Sequence, residues 1–339
     1  MDALTRIQQP ISEEMARYDE LFSEALHHDN PLLHIALEHL SKRKGKRMRP
    51  ILMLLTAKLY GTINDAVLNA AVSLELLHTA SLVHDDVVDE SDRRRGQQSI
   101  NALLDNRSAV LVGDYLLSKA LQFAAQTGNV EFVNCVAGLG QTLADGELVQ
   151  LNNIRTDAFD EGSYYEVVGK KTASLFATCA QAGVMLGGGS PDDAERMRQF
   201  GKLLGICFQL RDDIFDFIRV DVGKPAGHDM KEGKLTLPVL FAINKCECIE
   251  LMEKDSNSET AKESRRMRQL ALAVRHGEAT DQDVADLVAY TRRQNGLEYA
   301  QWAMDEFRMM SGGLISEEID SPVRQALQDY VDFAAERLV

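Results

Sequence analysis

Asp85-Asp86-Val87-Val88-Asp89 and Asp212-Asp213-Ile214-Phe215-Asp216 carry the same spacing of aspartates, DDxxD, 127 positions apart, and each lies in a long apolar run. An α-helix turns once in 3.6 residues, so carboxylates at i and i+4 stack on one face. Carboxylates in an apolar helix are costly to bury, and two such clusters facing each other would repel unless a cation stood between them. Mg2+, a hard ion held by one or two carboxylates together with a ligand's phosphates, suits that place. Solvated acidic helix faces are the plainer reading for either motif alone. All six aspartates are candidate metal ligands.

Polar neighbours share the same faces. His78, Asp85 and Asp89 are spaced by 7 and 4 residues and fall within about 40° of arc, which aims an imidazole and two carboxylates at one cavity. Gln209, Asp212 and Asp216 form a second such row. The interleaved Phe208, Phe215 and Phe217 read as core packing.

Three basic segments accompany the acids. In Lys42 to Pro50 (KRKGKRMRP), Pro50 suits the first turn of a helix expected over 51–60, and helix N-termini bind phosphate through free N–H groups. That segment reads either as a polyanion or localisation patch or as a phosphate clamp. Arg93-Arg94-Arg95-Gly96 follows the first acid motif and would either neutralise it or grip phosphates that it holds through Mg2+. The stretch from Gly223 to Lys234, with Lys224 and Lys234, describes a loop with anion-seeking tips, and Lys171-Thr172 adds a cation and a hydroxyl early in a helix. A P-loop, GxxxxGK[ST], is absent. Together these residues describe a site for diphosphate groups on apolar tails.

The elements that must position them read almost wholly as helix. β-branched alternation is absent, and apolar residues recur at helical spacing. Breaks at Gly61-Thr62, Gly96 to Asn101, Thr127 to Asn129, Gly187 to Pro191, Val222 to Lys234 and the polar stretch 253–264, expected as a surface loop, leave about ten to twelve helices. The run from Asp65 to about Val88 is apolar almost all round and should be central. The 339 residues, 45% hydrophobic, suffice for one large all-α domain over 1–339. No 18-residue run is uninterruptedly apolar, so no transmembrane helix is expected. Five scattered cysteines and an N-terminus without signal-peptide layout suit a cytoplasmic protein, and a net charge of −15 argues against nucleic acid as a partner.

The strings GKRMRP (45–50), LLHTASLVHDDVVDESDRRRG (76–96), LVGDYLLSKA (111–120), GELVQL (146–151), KTASLF (171–176), FQLRDDIFDF (208–217) and GKPAGHDMKEGKLTLP (223–238) resemble the trans-polyprenyl diphosphate synthases, most of all the bacterial octaprenyl and longer-chain enzymes. The resemblance implies an all-α bundle of mostly antiparallel helices around a central cavity, usually a homodimer. It implies head-to-tail addition of isopentenyl diphosphate to an allylic diphosphate, farnesyl or geranylgeranyl, with Mg2+ as cofactor. On that pattern Asp85, Asp89 and Asp212 ligate Mg2+ on the allylic diphosphate, and Arg94, Lys171, Lys224 and Lys234 hold the same group. Lys46, Arg49, His78 and Arg95 hold isopentenyl diphosphate, while Thr172 and Gln209 face the reacting carbons. Arg93 and Arg211 have no role in it.

Product length is read from the residues beneath Asp85. Ser81 and Ala80, at i−4 and i−5, are small, as are Ala124 and Val136 further down. A helical turn of about 5.4 Å compares with one isoprene unit, so an open tunnel predicts a product of roughly C40 to C55, suited to a quinone side chain, with transient membrane contact at its release. A shorter, C15–C20, synthase is the alternative. A class I terpene cyclase shares the first acid motif but usually carries a different second one, and a catalytically dead partner subunit would be expected to lose an acid motif.

Overall fold

The computed structural model describes residues 2–42, 45–94, 96–154, 159–218, 227–252, 258–316 and 321–336. Among them the only strands are a two-residue ladder, Arg93–Arg94 paired antiparallel with Gln97–Gln98, and the rest is helix and connection. The chain is all-α, as its periodicity requires. Among the described residues there are seventeen α-helical segments, more than the expected ten to twelve because short pieces such as Ala3–Gln8, Ile100–Leu103 and His228–Lys231 are counted with the long ones. Two compact units form, one from Met1–Leu143, Ala173–Lys202 and Ser311–Phe333, the other from Ala144–Thr172, Leu203–Met310 and Ala334–Val339.

In the first unit the Asp65–Val88 helix begins where expected. The Asn64 side chain accepts from the Val67 N–H (3.0 Å), filling an orphan donor of the first turn, and its amide donates to the Leu186 carbonyl (3.0 Å). The helix is long and apolar enough, by length and composition, to cross a membrane. Its apolar residues instead pack against Ser12–Ala25, Met48–Tyr60, Asn106–Gln126 and Ser174–Gly187, as a core helix does. Met48–Tyr60 starts three residues before the expected position. Pro50 still falls in the first turn, where its missing N–H costs nothing. Met48–Tyr60 and Ser174–Gly187 approach closely because Gly183 presents no side chain. A Cβ there would lie 2.2 Å from Thr56 Oγ1 and 2.4 Å from the Met53 carbonyl oxygen.

In the second unit Leu237–Met252, Glu259–Arg275 and Asp281–Arg293 pack on one another around Ile243, Met267, Ala271, Val274, Leu287 and Tyr290. The polar stretch 253–264 corrects an expectation in part, since 253–257 lie outside the described residues but helix begins at Glu259. Ser258 caps it by accepting from the Ala261 N–H (3.1 Å), and Ala261 and Ser264 are buried. The polarity marks the outer face of an amphipathic helix.

Gly183→Ala should destabilise the protein by at least the ~1–3 kcal/mol of ordinary overpacking, because one contacted atom is backbone and cannot rotate away. Urea denaturation checks this, and an unchanged midpoint would contradict the close-approach argument.

Candidate active site

The first acid motif closes the Asp65–Val88 helix, with Asp89 as its C-cap. Helical geometry puts Asp85 and Asp89 on one face, and both are half-buried. Asp86, about 100° round, is 1% exposed and accepts from Arg94 Nε at 2.6 Å. Arg94 belongs to the small β ladder, which Asp86 therefore anchors. The Ser91 N–H also donates to the Asp86 carbonyl (2.9 Å). Of the two readings of the arginine segment, neutralisation holds for Arg94 Nε, while its terminal nitrogens have other directions to reach. Arg93 is exposed in the ladder, and Arg95 lies outside the described residues.

The basic segment of this unit passes through a left-handed residue, Arg47 (φ 52°), just before Met48–Tyr60, and the Arg47 guanidinium pairs with Asp19. Lys46 Nζ lies 4.7 Å from the centre of the Phe333 ring, and the Arg49 guanidinium lies 5.3 Å from that of Phe176. Arg49 Nε is buried with no hydrogen-bond partner among the described residues. A buried guanidinium donor without an acceptor is costly, and points to an anion. His78 is half-buried on the acid helix, Ala80 is 2% exposed, and Ser81 turns its hydroxyl to the His78 carbonyl (2.9 Å). Ala124 and Val136 are buried.

The second unit holds the other motif near the end of Pro191–Ile218. Here again the middle acid is sunk: Asp213 is 2% exposed, whereas Asp212 is exposed and Asp216 half-buried. Asp213 accepts from Tyr164 Oη (2.5 Å) and from Gln209 Nε2 (2.8 Å), and Thr172 Oγ1 donates to Gln209 Oε1 (2.8 Å). Burial pushes the Asp213 carboxyl well above the usual range, the Asp229 carboxylate adds to this, and the two hydrogen bonds pull the other way. Asp216 accepts from the backbone N–H groups of His228 (3.1 Å) and Asp229 (3.2 Å), at the start of the short His228–Lys231 helix. Lys234 pairs with Glu232 (2.8 Å), and Lys224 lies outside the described residues.

Lys171 and Thr172 sit in a π-helical turn, Gly169–Ala173, inserted before Ser174–Gly187, rather than early in a regular helix. Such turns recur at functional sites. Lys171 pairs with Glu147 and reaches Gln150 Oε1 (3.2 Å). The approach needs Gly146, where a Cβ would stand 2.8 Å from Lys170 Cβ.

Several residues that bond to the motif side chains carry no such signal in the sequence. Glu147 and Gln150 stand at i and i+3, a spacing visible in GELVQL but unused. Tyr164 gave no signal, since its partner is 49 positions away. Arg211, without a role from sequence, bonds Asp212 Oδ1 (2.9 Å) and the Ala334 carbonyl (2.9 Å) over the Phe208 ring (4.2 Å). It balances Asp212 and ties down the end of Pro322–Ala335.

An all-α fold that carries two DDxxD motifs, each followed by basic residues, is the pattern expected of proteins that handle diphosphates. Residues 30–272 match the family model for polyprenyl synthetase. The octaprenyl diphosphate synthase of Escherichia coli is 35% identical over 243 residues, 71% of this chain and 75% of that one. The crystal structure of geranylgeranyl pyrophosphate synthase from Bacteroides thetaiotaomicron superposes with a TM-score of 0.84 at 40% identity, covering 99% of this chain and 100% of that one. That of a decaprenyl diphosphate synthase from Rhodobacter capsulatus gives 0.86 at 32%, covering 98% of each. The chain belongs to the polyprenyl synthetase family and is a trans-prenyltransferase with the all-α isoprenoid-synthase fold.

Asp229 gives this site a pH signature. Burial first, and then the Asp216 carboxylate, push its carboxyl up to about 7 from 3.8. A raised folded-state value favours the protonated form, so its contribution is complete below about pH 4 and is lost as pH rises through about 7. Metal-free protein should therefore melt at falling temperature across that window, and Asp229→Asn should flatten the fall. Parallel curves for the two proteins in calorimetry would contradict the assignment.

Proposed function

We propose that the chain condenses isopentenyl diphosphate with an allylic diphosphate, farnesyl or geranylgeranyl, releasing pyrophosphate and building an all-trans prenyl chain. The observation that carries a second diphosphate substrate is Arg49, whose buried Nε, at the start of Met48–Tyr60, lacks an acceptor among the described residues. A one-substrate cyclase has no use for that clamp.

The acid clusters fit Mg2+. Among the described residues no three His, Cys, Asp or Glu side chains gather into a metal-holding group. Each motif instead turns its middle acid inward and leaves hard oxygen donors in ones and twos, which is how Mg2+ is held when substrate phosphates complete its shell. Asp85, Asp89 and Asp212 are the carboxylates we assign to it. When bound, it supplies charge neutralisation to the departing pyrophosphate. Asp86 and Asp213, engaged by Arg94 and Tyr164, serve as anchors in this reading, and Asp216 holds the turn that carries Lys234.

The remaining roles follow the charges. Arg94 through its terminal nitrogens, with Lys171, Lys224 and Lys234, grips the allylic diphosphate, and Lys171 stays poised by Glu147. Lys46, Arg49, His78 and Arg95 grip isopentenyl diphosphate. Thr172 and Gln209 turn fixed dipoles toward the allylic carbon as positive charge develops there. Apolar helix walls keep water from quenching it. The last proton leaves to the released pyrophosphate, since no side chain stands out as a base. We propose action as a cytoplasmic homodimer, in keeping with the exposed Val110, Leu111 and Leu121 on Asn106–Gln126.

Three measurements test this reading. Purified protein given both substrates should release pyrophosphate with Mg2+ and cease with EDTA, and Asp85→Ala or Asp212→Ala should lower kcat by orders of magnitude. No release with Mg2+ present would end the enzyme reading. Arg49→Ala should raise KM chiefly for isopentenyl diphosphate and Lys224→Ala chiefly for the allylic substrate.

Product length follows from the small residues beneath Asp85, and we propose roughly C40 to C55. The C15–C20 alternative draws support from the 40% identical geranylgeranyl enzyme. Ser81→Phe or Ala80→Tyr should shorten the product to about C15–C20 by filling the tunnel. Chromatography of the dephosphorylated product decides, and a wild-type product of C20 or less would refute the open tunnel.

A further inference from the structure

Four side chains of the second unit form one hydrogen-bonded chain: Thr172 Oγ1 to Gln209 Oε1 (2.8 Å), Gln209 Nε2 to Asp213 Oδ1 (2.8 Å) and Tyr164 Oη to Asp213 Oδ2 (2.5 Å). Its polarity is set at the Tyr164 end. The Gln209 amide nitrogen can only donate, so Asp213 Oδ1 must be a bare acceptor. In the short phenol–carboxyl contact the proton lies on the Oδ2 side whichever group owns it, and Oδ1 stays bare. The amide then turns its oxygen to Thr172, whose single proton is spent on it. What Thr172 has left are lone pairs.

We propose that Tyr164 is a positioning residue that acts through Asp213 and Gln209 to hold Thr172 as an acceptor-only hydroxyl. Resting on the prenyl-transfer reading, this makes Thr172 a fixed source of electron density for a developing allylic cation and denies that site a proton donor. Without the phenol, Asp213 Oδ2 loses its partner, the carboxyl is released to turn and the amide to flip with it, and Thr172 presents its hydrogen instead. Tyr165, which follows Tyr164 in the chain and packs on Phe307 (5.8 Å), takes no part in the hydrogen-bonded chain and serves as the control.

The experiment is a double-mutant cycle of Tyr164→Phe with Thr172→Val, read in three ways. In steady-state kinetics Tyr164→Phe should lower kcat about tenfold with both KM values within about twofold, the size of one misplaced hydrogen bond. It should add nothing in the Thr172→Val background, and Tyr165→Phe should leave kcat unchanged. The Mg2+ concentration for half-maximal rate should stay put in Tyr164→Phe and rise in Asp212→Asn. In urea unfolding of the metal-free protein the two substitutions should be non-additive, as members of one network are. Multiplicative losses of kcat, an unchanged kcat in Tyr164→Phe, or additive unfolding effects would each overturn the proposal. Should wild-type protein fail to transfer prenyl groups, the prenyl-transfer reading falls, and the unfolding cycle alone still decides whether the chain is coupled.

Discussion

The cost of placing carboxylates in apolar helices is the constraint on which each acid motif and its surroundings depend. An ionised carboxylate taken out of water without partners loses several kcal/mol of solvation. The two motifs meet that cost in the same way. Helical geometry turns the second aspartate of DDxxD about 100° from the first and about 60° from the third, into the protein. There Asp86 finds Arg94, and Asp213 finds Tyr164 and Gln209. The first and third acids stay toward the solvent-accessible side.

That division gives each buried acid a structural duty. Asp86 fixes the ladder that carries Arg93 and Arg94, so the arginines stand at a set place after the motif instead of on a loose turn. Asp213 fixes an amide and, through it, a hydroxyl. Asp216 spends its oxygens on the N–H groups of His228 and Asp229, where a helix start welcomes negative charge, and so seats the short helix that precedes Lys234. Breaking a buried pair typically costs ~3–5 kcal/mol, which outweighs any surface ion pair in the chain. The second acid of each motif should therefore be the one whose loss is felt in folding, and the first the one whose loss is felt in catalysis.

Much of this was legible in the sequence because it depends on spacing along one helix. The bounds of Asp65–Val88, the breaks at Gly61, Gly128 and Gly188, and the shared face of Asp85 and Asp89 all follow from periodicity and turn chemistry. What was illegible depends on chain separation. Tyr164 and Asp213, Lys171 and Glu147, or Arg211 and the Ala334 carbonyl meet only in the folded unit. Periodicity also contained the inward turn of Asp86 and Asp213, which the shared residue type of the motif hides. The motif draws attention to residue type, whereas exposure depends on angle. The loop expected at 253–264 failed from Glu259 onward for a related reason, since charge on an outer helix face looks like charge in a loop.

The π-helical turn at Gly169–Ala173 shows how these constraints act on one another. One extra residue in the turn re-aims the side chains that follow, which brings Lys171 to Glu147 and Thr172 to Gln209 together. Gly146 opens the space for it, because a Cβ there would stand within 3.0 Å of the side chains of both Lys170 and Lys171. A regular helix would rotate Thr172 away from Gln209, and Asp213 would then orient an amide with nothing to orient. The irregular turn, the glycine opposite it and the buried acid are thus parts of one arrangement that sets the direction of a single hydroxyl.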